Sequence, residues 1–109
     1  MTGNEYQELA SRTINRNLEP NELNSHAVLG MVSEVGEICG LYQKEFQGHQ
    51  YNETELKKEV GDLLWFVAEF CTANGWDVEE IMDMNITKLK RRYPDGFEVE
   101  RSVTRDKNS

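Results

Sequence analysis

Apolar positions recur at helical spacing along most of the chain, and no stretch alternates with the two-residue period of a strand. From Asn4 to Ile14, the residues Tyr6, Leu9, Ala10, Thr13 and Ile14 mark one face of a first helix. A second helix is expected from about Glu22 to Glu45, followed by a polar loop from Phe46 to Asn52. A third starts near Glu53, with Asn52 as N-cap and Glu55 three residues later. It stops at Asn74-Gly75, a pair suited to a left-handed C-cap. The fourth begins at Asp77, with Glu80 completing an N-cap and N3 pair, and ends at Tyr93-Pro94. The expectation is an all-α fold, with a single domain over residues 1–97 and a polar tail over 98–109.

The second and third helices carry the same short pattern. One holds Glu34-Val35-Gly36-Glu37 and the other Glu59-Val60-Gly61-Asp62. Acids three apart share a helical face. Beside them lie apolar stripes: Val28, Met31, Val35, Ile38 and Tyr42 on one helix, Leu56, Val60, Leu63, Val67 and Phe70 on the other. The intervening glycines suggest close backbone approach. Helices packed in the same phase would gather four carboxylates. The run Leu63-Leu64-Trp65-Phe66-Val67-Ala68 is apolar all round, as in a helix buried on more than one side. In so short a chain, Leu64, Trp65 and Ala68 point to a second subunit, and a dimeric four-helix bundle is expected, with a dimer of dimers the larger option.

Charge narrows the function. The 109 residues hold 12 Lys+Arg against 20 Asp+Glu, a net charge of −8. That disfavours non-specific nucleic-acid binding and adhesion to anionic membranes. No apolar run approaches a membrane span and the first twenty residues are polar, so a cytoplasmic protein is expected. Cys39 and Cys71 sit in apolar runs and read as buried reduced thiols. The absence of a CxxC motif or Cys/His cluster argues against zinc.

For an arbitrary pair of acids at helical spacing, a solvated face is the ordinary explanation. Here the acids border the most apolar part of the chain, and Lys57 and Lys58 point elsewhere on the helix. Four carboxylates in a partly buried cleft need a cation, and hard divalent ions suit an all-oxygen site: Mg²⁺ first, with Mn²⁺ as a substitute. A di-iron centre is disfavoured because neither His26 nor His49 lies three residues after a Glu. His49 reads as a loop residue and His26 as an ordinary surface or capping-region histidine. On the fourth helix, Asn85, Lys88 and Arg92 form a polar stripe beside Val78, Met82, Ile86, Leu89 and Tyr93. Alone, it is a solvated basic face; next to a metal cluster, it suits phosphate.

Together these residues resemble the MazG-like members of the all-α nucleoside triphosphate pyrophosphohydrolases, whose signature is E-x-x-E followed by E-x-x-D. Glu34, Glu37, Glu59 and Asp62 stand in that order. Tyr6-Gln7 with Ala10 and Arg12-Thr13, Gly61-Asp62-Leu63-Leu64-Trp65-Phe66, and Asn85-Ile86 with Lys88-Leu89, Arg92-Tyr93-Pro94 and Gly96-Phe97 resemble other family segments. The resemblance spans roughly Tyr6 to Phe97. It implies Mg²⁺-dependent cleavage of a nucleoside triphosphate to the monophosphate and pyrophosphate, including a house-cleaning role toward non-canonical nucleotides. It also implies metal binding and catalysis by Glu34, Glu37, Glu59 and Asp62, with Glu37 as one option for the general base. Asn85, Lys88, Arg92 and Tyr93 would contact substrate, and Trp65, His26 and Tyr6 are candidates for base or ribose. A homodimer or homotetramer is implied as well. The competing reading is a non-catalytic helical dimerisation module that binds a cation for structure alone.

Overall fold

The computed structural model describes residues 1–104, and the last five residues of the expected tail lie outside the described residues. Five helices follow one another: α1 (Gly3–Ser11), α2 (Pro20–Phe46), α3 (Glu53–Ala73), α4 (Val78–Arg92) and α5 (Val99–Val103). No strand forms among the described residues, so the chain is all-α as its periodicity predicts. The short α5 falls inside the segment expected to be tail.

Local signals set most of the helix ends. Asn52 accepts the Glu55 amide at 3.1 Å and starts α3. Gly75, at φ +71°, ends it: Gly75 N donates to Thr72 O at 3.2 Å and Trp76 N to Cys71 O at 2.9 Å. Gly48, at φ +93°, closes α2 in the same way. The start of α4 differs from expectation. Asp77 makes no side-chain cap. Side chains of α1 do the capping, with Gln7 Oε1 accepting Val78 N at 2.7 Å and Asn4 Oδ1 accepting Glu79 N at 3.3 Å. Gln7 Nε2 also donates to Trp76 O at 2.8 Å and Thr72 Oγ1 at 3.2 Å, tying α1 to the α3–α4 turn.

The main packing is the antiparallel α2–α3 hairpin. Its contacts run as a ladder: Asn24 with Asn74, His26 with Glu69, Gly30 with Phe66, and Glu34 with Glu59 and Asp62. Close approach occurs at Gly30, where a Cβ would overlap the Phe66 ring. A Cβ at Gly36 or Gly61 would meet nothing within 4 Å, so the glycines between the acids do not have the role their position suggested. The buried face of α2 includes Ala27 and Gly30, while Val28, Val35 and Tyr42 of the expected stripe are about half exposed. Cys71 is buried as expected, but Cys39 is exposed on the outer face of α2.

The second side of α3 packs against the chain's own α1 and the turn that follows it. Ala68 is 2% exposed, and Trp65 Nε1 donates to Thr13 Oγ1 at 2.8 Å. These two residues therefore mark an intrachain contact, and only Leu64, 54% exposed, keeps the free position expected of all three. Every residue from Ile81 to Arg91 on α4 is exposed. The radius of gyration is 17.3 Å, against about 13 Å for a compact domain near this length. Among the described residues, the buried apolar side chains are Ala10, Ile14, Ala27, Ala68 and Cys71, mostly small.

Replacing Gly30 with Ala should destabilise the protein. Alanine gains about 1 kcal/mol of helix propensity, but overpacking against an aromatic ring costs about 1–3 kcal/mol. Urea unfolding should show a net loss for Gly30→Ala and partial recovery in Gly30→Ala/Phe66→Leu. A stabilised single variant would place the α2–α3 contact elsewhere.

Candidate active site

The α2–α3 hairpin brings Glu34, Glu59 and Asp62 together, with one carboxylate oxygen from each lying within 4.8 Å of the others. The three positions face each other across the register that Gly30 and Phe66 set. Glu37, the fourth acid of the sequence pattern, lies one turn along α2, is exposed and stands outside this group. Lys57 and Lys58 pair with Glu53 at 3.5 Å and Glu55 at 3.3 Å, so neither neutralises the cluster.

Crowding shows in the protonation of Glu34. A hydrogen bond to Glu59, then burial, then the charges of Asp62, Glu59 and Glu37 push its carboxyl up to about 7. That hydrogen bond needs a proton on one of the two acids. With both ionised, no donor exists, and Oε2 of Glu34 is buried without a hydrogen-bond partner. An orphaned buried oxygen beside two more carboxylates is what a hard divalent cation satisfies. The donor set therefore fits a metal such as Mg²⁺, with Glu34, Glu59 and Asp62 as the residues that could hold it.

A cavity of about 390 Å³ opens beside the acids, lined by Thr13, Glu34, Asp62, Trp65 and Phe66. Trp65 thus reaches the site, although its indole N–H is committed to Thr13. The Thr13 hydroxyl in turn donates to Ala10 O at 2.8 Å. The Tyr6 phenol is raised by burial and, secondarily, by the negative charge of Asp62, which puts Tyr6 within the field of the cluster.

The α4 residues stand apart. Asn85 and Lys88 line a separate groove with Asn4, Asp77 and Arg91, and that groove shares no lining residue with the carboxylate cavity. The Arg92 guanidinium lies 6.0 Å from the centre of the Tyr93 ring, which also packs against Phe97 at 5.3 Å. The sequence reading also missed one polar pair. Glu69, 1% exposed, turns both carboxylate oxygens toward Nδ1 of His26, at 2.8 and 3.0 Å. The available signal was an acid inside the apolar run of α3 with no basic residue within a turn of it.

Comparison with known proteins agrees with the geometry. Residues 22–97 match the family described as the MazG nucleotide pyrophosphohydrolase domain. A curated relative, the Gene 37 protein of Mycobacterium phage L5, is 33% identical over 79 residues, covering 66% of this chain and 68% of that protein. No solved structure gives a significant match. The family match takes in α2, α3 and α4 and all the acids of the cluster, and the chain belongs to the MazG nucleotide pyrophosphohydrolase family.

Proposed function

We propose that the protein is a Mg²⁺-dependent nucleoside triphosphate pyrophosphohydrolase that uses one water to split the α–β anhydride into a nucleoside monophosphate and pyrophosphate. The observation that carries this reading is the meeting of Glu34, Glu59 and Asp62 within 4.8 Å around a buried, partnerless Glu34 oxygen. Those three would hold the metal, Mg²⁺ or in its place Mn²⁺, and Glu37 extends the acidic surface toward solvent. A bound divalent ion supplies charge neutralisation of the triphosphate and a more acidic water. The chain's carboxylates accept the proton that the water loses, with Glu37, exposed beside the three ligands, as one candidate. Phe66 and Trp65 exclude bulk water from one side of the cavity. No helix among the described residues is long and apolar enough to cross a membrane. House-cleaning of non-canonical triphosphates is the cellular role that fits.

Asn85, Lys88, Arg92 and Tyr93 enter this reading through assembly. Within one chain, Asn85 and Lys88 do not line the carboxylate cavity. The apolar residues Met82 and Ile86 of α4 are 51% and 50% exposed, and Leu29 and Val32 of α2 are more so. Exposed apolar residues on both helices support a protein–protein contact. A homodimer or homotetramer would cover them and bring α4 of one copy toward the acids of another.

Pyrophosphate release from a panel of canonical, oxidised and methylated nucleoside triphosphates, with and without Mg²⁺, tests the activity. Glu34→Gln and Asp62→Asn should each lower kcat by about 10²–10⁴-fold, as removal of a ligand or base does. Turnover without added metal, or wild-type turnover in both variants, contradicts the assignment. A folded wild type that binds Mg²⁺ but releases no pyrophosphate from any nucleotide would favour the structural dimerisation module.

Metal-free stability should depend on pH in a defined direction. The folded state raises Glu34 from an ordinary 4.5 to about 7, so the native state favours its protonated form. That contribution is present below 4.5 and is lost as pH rises through about 7. Without metal, the Tm should fall across this interval, and Glu34→Gln should flatten the slope. Saturating Mg²⁺ should reverse it, since the ion requires the deprotonated acids. A Tm that rises over the same interval without metal would contradict the shared-proton geometry.

Sedimentation at micromolar concentration should show an oligomer. Met82→Glu/Ile86→Glu should dissociate it, because charge cannot be buried unpaired in such a face. A compact, active wild-type monomer would overturn the assembly.

A further inference from the structure

The pair formed by His26 and Glu69 belongs neither to the acidic cluster nor to the lining of its cavity. Among the described residues, Glu69 is the one buried charged side chain, at 1% exposure. A buried carboxylate hydrogen-bonded to an imidazole adds little net stability, and apolar residues of similar volume often serve as well. Its effect here is orientation. Both Glu69 oxygens face Nδ1 of His26, which fixes the imidazole ring while half of the His26 side chain stays exposed. An ionised Glu69 places the proton on Nδ1, so the neutral ring offers Nε2, on the opposite side, as an acceptor.

The position of the pair gives this acceptor a purpose. Asp62, Phe66 and Glu69 fall at i, i+4 and i+7 on one face of α3, while Glu34, Gly30 and His26 step down the facing side of α2. Seven residues of helix put the His26–Glu69 row about 10 Å from the carboxylates. The Phe66 ring lies between, lining the cavity with Glu34 and Asp62 and packing against His26 at 5.7 Å and 55°. Pressed onto Gly30, Phe66 cannot withdraw into the hairpin. The acids, an aromatic face and an oriented acceptor thus follow in line, over about the reach of a nucleotide from its phosphates to its base.

We propose that His26, oriented by Glu69, reads the nucleobase of the triphosphate by accepting a hydrogen bond at Nε2 from an N–H on the base edge, with Phe66 as the adjoining aromatic wall. Glu69 is a positioning residue that acts through His26. This inference rests on the nucleotide-hydrolase reading above and adds where the base lies.

The test is kinetic and uses the full chain with Mg²⁺. KM and kcat are measured over the nucleotide panel for the wild type, His26→Ala, His26→Gln and Glu69→Gln. Inorganic tripolyphosphate, which has no base, serves as a competitive inhibitor in each case. His26→Ala leaves Glu69 without its partner, so the double variant His26→Leu/Glu69→Leu provides a folded alternative in which both polar groups are gone. Loss of one base hydrogen bond should raise KM for the preferred nucleotide by about ten-fold and flatten the ranking of bases. kcat and inhibition by tripolyphosphate should stay near wild type. His26→Gln, which keeps an amide near the Nε2 position, should recover part of the ranking, and Glu69→Gln should shift it in the direction of His26→Ala. An unchanged ranking in a folded His26→Ala or double variant overturns the proposal. So does a parallel loss of tripolyphosphate inhibition, which would assign the row to the phosphate end, and so does unfolding of every His26 variant, which would make the pair structural. A wild type that releases pyrophosphate from no nucleotide removes the hydrolase reading and this inference with it, whereas an active wild type with an unmoved ranking removes only the role of His26.

Discussion

The register of α2 against α3 is the constraint on which the rest of the structure depends. It is set where Phe66 lies on the bare backbone at Gly30. Two antiparallel helices locked at that point have no freedom elsewhere along the hairpin. Glu34 must then face Glu59 and Asp62, His26 must meet Glu69, and Asn24 must meet Asn74 at 2.6 Å. A slip of one helical turn would separate the three acids and leave the buried Glu69 without a counter-group. The energy that holds the register is mainly packing, because the polar contacts it creates are costly or near neutral on their own.

The same register concentrates negative charge. Three carboxylates at one crossing oppose each other, and a shared proton raises Glu34 to about 7. The fold tolerates this because the opposition falls in the middle of its longest helix pair, braced on the other side of α3 by α1. Gln7, Thr13 and Trp65 form that brace through directional hydrogen bonds, which hold α1 where Thr13 and Trp65 also border the cavity. Stability held in the scaffold is thus spent at the site, as is usual where a site is preorganised for a cation or an anionic substrate.

One chain leaves much of its apolar surface uncovered. The fully buried apolar residues are mostly small, while Leu29, Val32, Met84 and Phe46 are all more than 60% exposed. The chain supplies a rigid hairpin with a short brace and holds α4 outward by its N-terminal end, where α1 caps it. A core this thin is unusual for an isolated domain of this length.

Much was legible in the sequence because the signals concerned are local. Helical periodicity, the Asn52 cap and the Asn74-Gly75 and Tyr93-Pro94 stops set the element order, since capping and φ preferences act within a few residues. Acids three apart within apolar helices marked Glu34, Glu37, Glu59 and Asp62, because spacing alone puts each pair on one face, and the hairpin gathers three of the four. Three matters depended on tertiary structure. Which face of α2 is buried was decided by the depth of packing at Gly30, and the apolar stripe alone pointed partly outward. Trp65 and Ala68 looked like a subunit contact because periodicity shows that a face is apolar without naming what covers it, and α1 with the turn after it packs there. His26 read as an ordinary surface or capping-region histidine, or by resemblance as a base or ribose contact, and its partner was hidden because Glu69 is 43 residues away in the chain and meets it only across the hairpin. Local chemistry determined the helices and the acids; long-range packing decided which side chains face one another.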